Sequence, residues 1–369
     1  RLVSDVVLRP SMSQEGLDAV KEIMHRSLDE KKTSTSNAVA KVGARTSFGP
    51  LHPYGEIMTH ESLDAITRKD LVTFHATYFR PNAAYLLVVG DIAPDVAYAR
   101  ANAQFGQWMR GSIPYTRIMP SKVLSGRQVR FVPMEGAAQS SVAMVHAVAF
   151  PPGHPDEATV HVLSALLNKD GHSASLFSDP VTARFEMKAE MDKDETADAI
   201  HAMVAHIESI QALADSATLE QAKAELTEEH VGRMLDAMSL ARQALDIRRY
   251  DLTEDHFVTY NDRLAMVSVK DVQRVARNMI RTNNMNLCVA GSPDILEGLR
   301  MFDAGKGVDQ YNAFGERQTP RTEAPAGTTV ASVLTRHFNA IGGAKAWSKI
   351  RTIQTFGSVE YRGGMSVSY

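Results

Sequence analysis

Apolar residues recur at three- and four-residue spacings through the first thirty positions: Val3, Val6, Val7, then Leu17, Val20, Ile23, Met24 and Leu28. That period predicts helix, interrupted at Pro10 because proline lacks the amide hydrogen. A polar run of Ser, Thr and Asn then reads as loop, and SFGPLHPYGEI after it as turn-rich chain. Residues 66–79 return to the helical period, with Thr67 as N-cap, Asp70 three residues on and Pro81 as the stop. The apolar run 84–89, closed by Gly90 and Asp91, predicts a buried strand, and 93–108 a further helix. Downstream, 128–133, 139–150 and 181–191 read as strands, 156–167, 196–214 and 218–250 as helices. Strands mixed with helices of this length predict an α+β architecture, with helices packed on one face of a sheet.

The pattern repeats. ITRKDLVTFHATYFRPNAAYLLVVG (66–90) aligns without a gap on VSVKDVQRVARNMIRTNNMNLCVAG (267–291), at a constant offset of 201. Lys69/Lys270, Asp70/Asp271, Arg80/Arg281, Asn82/Asn283, Leu86/Leu287, Val88/Val289 and Gly90/Gly291 are identical. Identities in register, with the same order of helix, turn, strand and Gly, point to duplication of an α/β module. Both copies are expected to superpose as helix plus strand, each strand in its own sheet. From 304 to 329 the composition shifts to Gly, Pro, Thr and charge without periodicity, which reads as a linker. A third unit begins at Val330 with a helix capped by Gly342 and Gly343, followed by an alternating strand over 351–361. The expected domains are 1–125, the later part of a first module, 126–303, a second module, the linker 304–329, and 330–369, the start of a small helix-plus-β domain.

Composition narrows the function classes. The net charge of −3 and scattered Lys and Arg exclude the basic patch that nucleic acid or an anionic membrane would need. A single cysteine, Cys288, excludes an intrachain disulfide and any cysteine-based zinc cluster. No stretch approaches the length of a transmembrane segment. The chain opens RLVSDVV, without Met or a signal-peptide pattern, and so reads as a mature or partial chain.

The run FGPLHPYGEIMTHESLDAITRKDLVTFHATYFRPNAAYLLVVGD, followed by FGQW at 105–108, resembles the pitrilysin/insulinase-type zinc peptidases. His52, Pro53, Tyr54, Gly55, Pro81, Asn82, Gly90 and Asp91 stand where that family has its His-Pro-Tyr-Gly loop, Pro-Asn turn and Gly-Asp strand end. EGAAQSSVAM (135–144) is similar to the opening strand of the family's second module, and the resemblance covers roughly residues 1–315. It implies two homologous α/β modules, each a sheet covered by helices, in a protein whose two halves close around a peptide-filled chamber. Active members hold zinc through the two His of H-x-x-E-H and a Glu further on, the Glu between the His serving as base for the metal-bound water.

None of the thirteen His in this chain forms that motif. His154 and His161 are seven apart, His201 and His206 five apart, and His25, His60, His75, His172 and His230 have no partner four residues away. The family's third ligand aligns with Ser27 and its supporting Glu with Val20, neither a zinc ligand, although a slip of a few residues would bring in Glu22 or Glu30. No catalytic or metal residue is therefore assigned, substrate-binding residues stay open, and zinc is expected in a partner or in a segment upstream of Arg1. A second departure lies near residue 180, where GHSASLFSD runs through Pro180 straight into VTARFEM. The family has a longer stretch there that grips substrate, so Pro180 and Val181 are expected to be separated in space. The tail from IGGAKAWSKIRTIQTFGSVEYRGGM resembles the start of a lipoprotein-carrier-type β domain, which implies a bacterial periplasm or envelope, with a mitochondrial matrix as the alternative.

Three functions fit. The first is a catalytically silent subunit that forms half of a peptide chamber with a homologous, zinc-bearing peptidase subunit, in a hetero- or homodimer with unfolded peptides as ligands. The second is an active zinc endopeptidase whose H-x-x-E-H lies outside this chain. The third is a structural or assembly scaffold. Fold alone does not choose among them.

Overall fold

The computed structural model describes residues 1–115, 118, 121, 124–168, 171–212, 215–305, 307–318, 329–340, 342, 343, 348, 349, 358–361 and 365–368. The chain divides into two compact units, Arg1–Gln318 and Thr319–Tyr369. The first opens with helices α1 (Leu2–Leu8), α2 (Gln14–Lys31), α3 (Thr35–Phe48), α4 (His60–Asp64), α5 (Arg68–Tyr78) and α6 (Pro94–Phe105). It continues β1 (Gln128–Pro133), β2 (Gln139–Val148), α7 (Glu157–Leu167), β3 (Ser173–Ser178) and β4 (Ala183–Asp192). Then come α8 (Thr196–Ala212), α9 (Ser216–Leu235), α10 (Ala237–Tyr250), α11 (Tyr260–Ala265), α12 (Val269–Met279) and β5 (Asn286–Gly291). Short α13 (Leu296–Leu299), β6 (Asp309–Tyr311) and β7 (Arg317–Gln318) close it.

These strands form one mixed seven-stranded sheet in the order β3-β4-β2-β5-β1-β6-β7. Strand β5 lies at its centre, antiparallel to β2 and parallel to β1. Alternation along the strands serves two cores. Val142, Met144, Leu287 and Val289 join a large core with Val162, Leu163, Ile200, Met203, Val272 and Val275 from α7, α8 and α12. Ala143, Val145, Cys288 and Ala290 face the opposite way, onto Ala38, Val39 and Val42 of α3. Gly43 lets α3 lie close, since a Cβ there would sit 3.2 Å from Val145 Cγ2. Burial of each valine on that stripe contributes about 1.5–3 kcal/mol. The sheet is thus covered on both faces, where helices on one face were expected, because a segment that reads as polar loop is helix α3.

The repeat is half visible. Helices α5 and α12 have bounds offset by the same 201 residues, and each starts with a capping box, Thr67 with Asp70 and Ser268 with Asp271. The strand halves differ. β5 is buried at every position, whereas residues 84–89 form no strand and Tyr85, Leu86, Leu87, Val88 and Val89 are exposed. A strand needs a ladder partner, and among the described residues none lies beside this run. Among the described residues the first unit has one sheet where two were expected, and α5 and α6 bury no residue.

Three further expectations change. The predicted helix 218–250 is two, broken at Asp236, whose extended backbone and side chain cap α10 through Ser239 N–H. The stretch read as a linker contains β6 and β7, the former paired with β1. Pro180 and Val181 are joined in a tight hairpin turn: Ser178 pairs with Ala183, and Asp179 Oδ1 accepts from Val181 N–H at 2.8 Å and Thr182 N–H at 2.9 Å. The separation expected there is not found, because Asp179, directly after β3, supplies the turn's own acceptor. In the Thr319–Tyr369 unit, helix α14 (Val330–Ala340) and the antiparallel pair β8 (Ser358–Tyr361) and β9 (Met365–Ser368) are described. Of the strand expected over 351–361, residues 358–361 are β8 and 351–357 lie outside the described residues.

Candidate functional site

A cavity of about 810 Å³ opens where β2 ends and β4 and β5 begin. His52 of the His-Pro-Tyr-Gly loop is part of its lining. Helix α3 stops at Gly49, which takes φ +87°, and the chain folds back so that Gly55 N–H and Glu56 N–H donate to His52 O at 2.8 and 3.1 Å. Only glycine fits at 55, since a Cβ would meet Gly49 O at 1.9 Å. The fold-back buries His52 against the Phe48 ring, 4.9 Å between centroids, with its Nδ1 accepting from Tyr54 N–H at 3.1 Å. Burial lowers the His52 pKa, against the opposing pull of Asp179.

Tyr54 OH donates to Asp179 Oδ2, which ties this loop to the β3–β4 turn. That bond, helped by burial, pushes the Tyr54 phenol up to about 12. Asp179 thus accepts from one hydroxyl and two amides and holds the turn rather than offering a base. The second carboxylate of the lining, Asp156, is fixed by both arms of Arg274 at 2.6 and 2.9 Å, which keeps its pKa below the usual carboxylate value. His154 lies near it, 4.0 Å from Nδ1 to Asp156 Oδ2, with Nδ1 accepting from Asp156 N–H.

The other wall carries polar groups set into apolar strands. His146 of β2 is 7% exposed, its Nδ1 is 3.2 Å from Ala147 O, and burial lowers its pKa. Asn286 of β5 is fully buried and accepts from Arg130 Nε at 3.4 Å through Oδ1. His146 Nε2 and Asn286 Nδ2 have no hydrogen-bond partner among the described residues, a costly state unless something polar meets them. Arg281 and Asn284 complete this wall. The arrangement presents a neutral imidazole, an amide and a cation, with no carboxylate free to activate water.

The positions singled out for zinc lie elsewhere. Val20, Glu22, Ser27 and Glu30 ride on α2, outside the cavity lining, with Val20, Glu22 and Glu30 exposed. Among the described residues no three His, Cys, Asp or Glu gather in a way that could hold a metal ion. The structure does join two histidines that sequence spacing separates: His25 and His60 stack with Nδ1 atoms 2.7 Å apart, and His25 Nε2 lies 2.9 Å from Asp64. His146 and Asn286 were missed from sequence, although a His and an Asn inside apolar strand runs were a signal for them.

A family model described as the peptidase M16 inactive domain matches residues 65–226. Among solved structures, the peptidase M16 inactive domain from Pseudomonas fluorescens aligns at TM-score 0.70 and 16% identity, over 78% of this chain and 73% of that one. A protease from Helicobacter pylori aligns at TM-score 0.66 and 17% identity, over 75% of this chain and 72% of that one. The periplasmic protease PqqL from Escherichia coli aligns at TM-score 0.59 and 11% identity, over 75% of this chain but 32% of its own length. At these identities the likeness shows a common fold. No curated protein sequence matches. No helix among the described residues is long and apolar enough to cross a membrane.

Proposed function

Starting from residues 65–226 as a peptidase M16 inactive domain, we propose that this chain is the catalytically silent half of a two-part peptidase, holding unfolded peptide beside a homologous subunit that carries zinc. One observation carries the reading. Both carboxylates lining the cavity are committed, Asp179 to Tyr54 and the turn amides and Asp156 to Arg274, so neither is free to serve as a base. What remains suits binding: His146 Nε2 as acceptor and Asn286 Nδ2 as donor match the N–H and C=O of an extended peptide. Zinc belongs to the partner in this reading, and the periplasm is the compartment, in keeping with the tail's resemblance and with a periplasmic protease among the structural relatives.

The test is hydrolysis and binding of unstructured peptides by the purified chain. Binding without chelator-sensitive cleavage is expected, with affinity reduced several-fold by Asn286→Ala. Zinc bound at one ion per chain, lost on replacing histidines within residues 1–369, would overturn it. One observation favours a second reading, an assembly scaffold: the tight β3–β4 turn leaves no long loop there to grip a peptide. Absence of any peptide binding would select that reading.

A further inference from the structure

A second cavity, of about 240 Å³, lies among α7, α9, α10 and α11 and shares no lining residue with the first. Its wall comes wholly from residues 157–260. One side is the stripe of α10 that carries Ser239, Arg242, Gln243 and Asp246, at the three- and four-residue spacings of a single helix face. The far side includes Tyr260, Phe257, His161 and His230. There the polar groups satisfy one another: His161 Nδ1 lies 2.9 Å from Tyr260 OH, and His230 Nε2–H donates to Phe257 O at 2.8 Å. Burial lowers the pKa of both histidines, so this side is uncharged and offers aromatic surface.

Among the described residues four charged side chains line this cavity, and two of them are engaged. Glu157 lies 2.8 Å from His256 Nε2 and 3.4 Å from Arg263 Nη1, and Arg233 is 3.6 Å from Glu229. Arg242 and Asp246 remain. They stand one turn apart on α10, yet neither forms a hydrogen bond or ion pair among the described residues, with the other or elsewhere. The charge of Arg242 reaches Asp236, but that carboxylate caps the helix through Ser239 N–H. Burial raises the pKa of Asp246 against the pull of Arg249, the condition of a carboxylate without a cation bonded to it.

We infer that this cavity binds a free α-amino acid, its carboxylate on Arg242, its ammonium on Asp246 and its side chain toward Tyr260 and Phe257. An anion alone would leave Asp246 unmet, and a cation alone would leave Arg242 unmet. A zwitterion meets both with charge-assisted hydrogen bonds. Four residues of helix separate the two Cα atoms by about 6 Å along the axis. A long Arg arm and a short Asp arm close that span onto two groups joined through one carbon. The volume lies below the roughly 300–1,000 Å³ of pockets that take drug-sized ligands, and is too small for an extended peptide. The site stands apart from the proposed peptide-binding role and needs no zinc.

Titration calorimetry of the whole chain with each protein amino acid in turn tests it. At least one is expected to bind, with a stoichiometry of one per chain. Its deaminated acid and its decarboxylated amine should each bind about ten-fold or more weakly, as should the amino acid itself to Arg242→Gln and to Asp246→Asn. Without ligand, both variants should melt at the wild-type temperature, because neither side chain is bonded within the fold. No binding by any amino acid, affinity undiminished by either substitution, or an analogue that binds as tightly as its parent would each overturn the proposal. A ligand-free variant that melts lower than the wild type would overturn it as well, by showing that the side chain serves the fold. None of these readouts depends on peptidase or peptide-binding activity.

Discussion

Positions 74 and 275 are equivalent in the repeat, yet their surroundings differ as much as any two sites in the chain. Val275 on α12 is 1% exposed inside the large core, while Phe74 on α5 is 57% exposed. Val275→Ala removes the equivalent of two methylene groups from a packed site. At about 0.8 kcal/mol each, plus a cavity contribution, the loss is about 2–3 kcal/mol. Phe74→Ala removes a larger side chain but little buried surface, so its cost to the single chain is within about 0.5 kcal/mol. Urea denaturation followed by circular dichroism, at low protein concentration, reads both values on one scale. A loss for Phe74→Ala equal to that for Val275→Ala under those conditions would mean that α5 has a core of its own, and would refute the packing described above.

Acid should destabilise the fold through its buried histidines. Burial lowers the pKa of His52, His146, His161 and His230 from 6.5, so the unfolded chain takes up protons first as pH falls. Stability is then constant above that value and falls below it, by at most about 1.4 kcal/mol per pH unit for each group. The slope should be shallower in His146→Gln, as read by urea midpoints across the acid range. Gly55→Ala places a Cβ 1.9 Å from a backbone oxygen and should cost about 2–4 kcal/mol, seen as a lowered melting temperature together with weaker peptide binding.

Local chemistry was legible where it decides local structure. Thr67 with Asp70 announced α5, and the strands β1 and β2 were read from mainly apolar segments, the second alternating in part. The misses have a common cause: their structure is decided by what lies across from them. Helix α3 reads as loop because its Ser, Thr and Asn favour turns, and it is helix because Ala38, Val39 and Val42 meet the sheet. Residues 84–89 read as strand with equal justice, and have no neighbouring strand among the described residues. β6 reads as linker and becomes strand because β1 offers an open edge. The same holds at the site. The His-Pro-Tyr-Gly loop was visible, but that Tyr54 closes on Asp179, or that His25 meets His60, depends on contacts between residues 125 and 35 positions apart.

The central place of β5 also governs when this protein can fold. Gln128 pairs with Asn286, so β1 waits for a strand made some 160 residues later. At synthesis rates of 5–20 residues per second, that interval is roughly 8–30 s. Throughout it, β2 offers Val142, Met144 and Val145 along an edge that only β5 will close. The nascent chain thus carries an open apolar edge on the ribosome for longer than most small domains need to fold, and the yield of native protein should depend on holdase capacity more than on the stability finally reached.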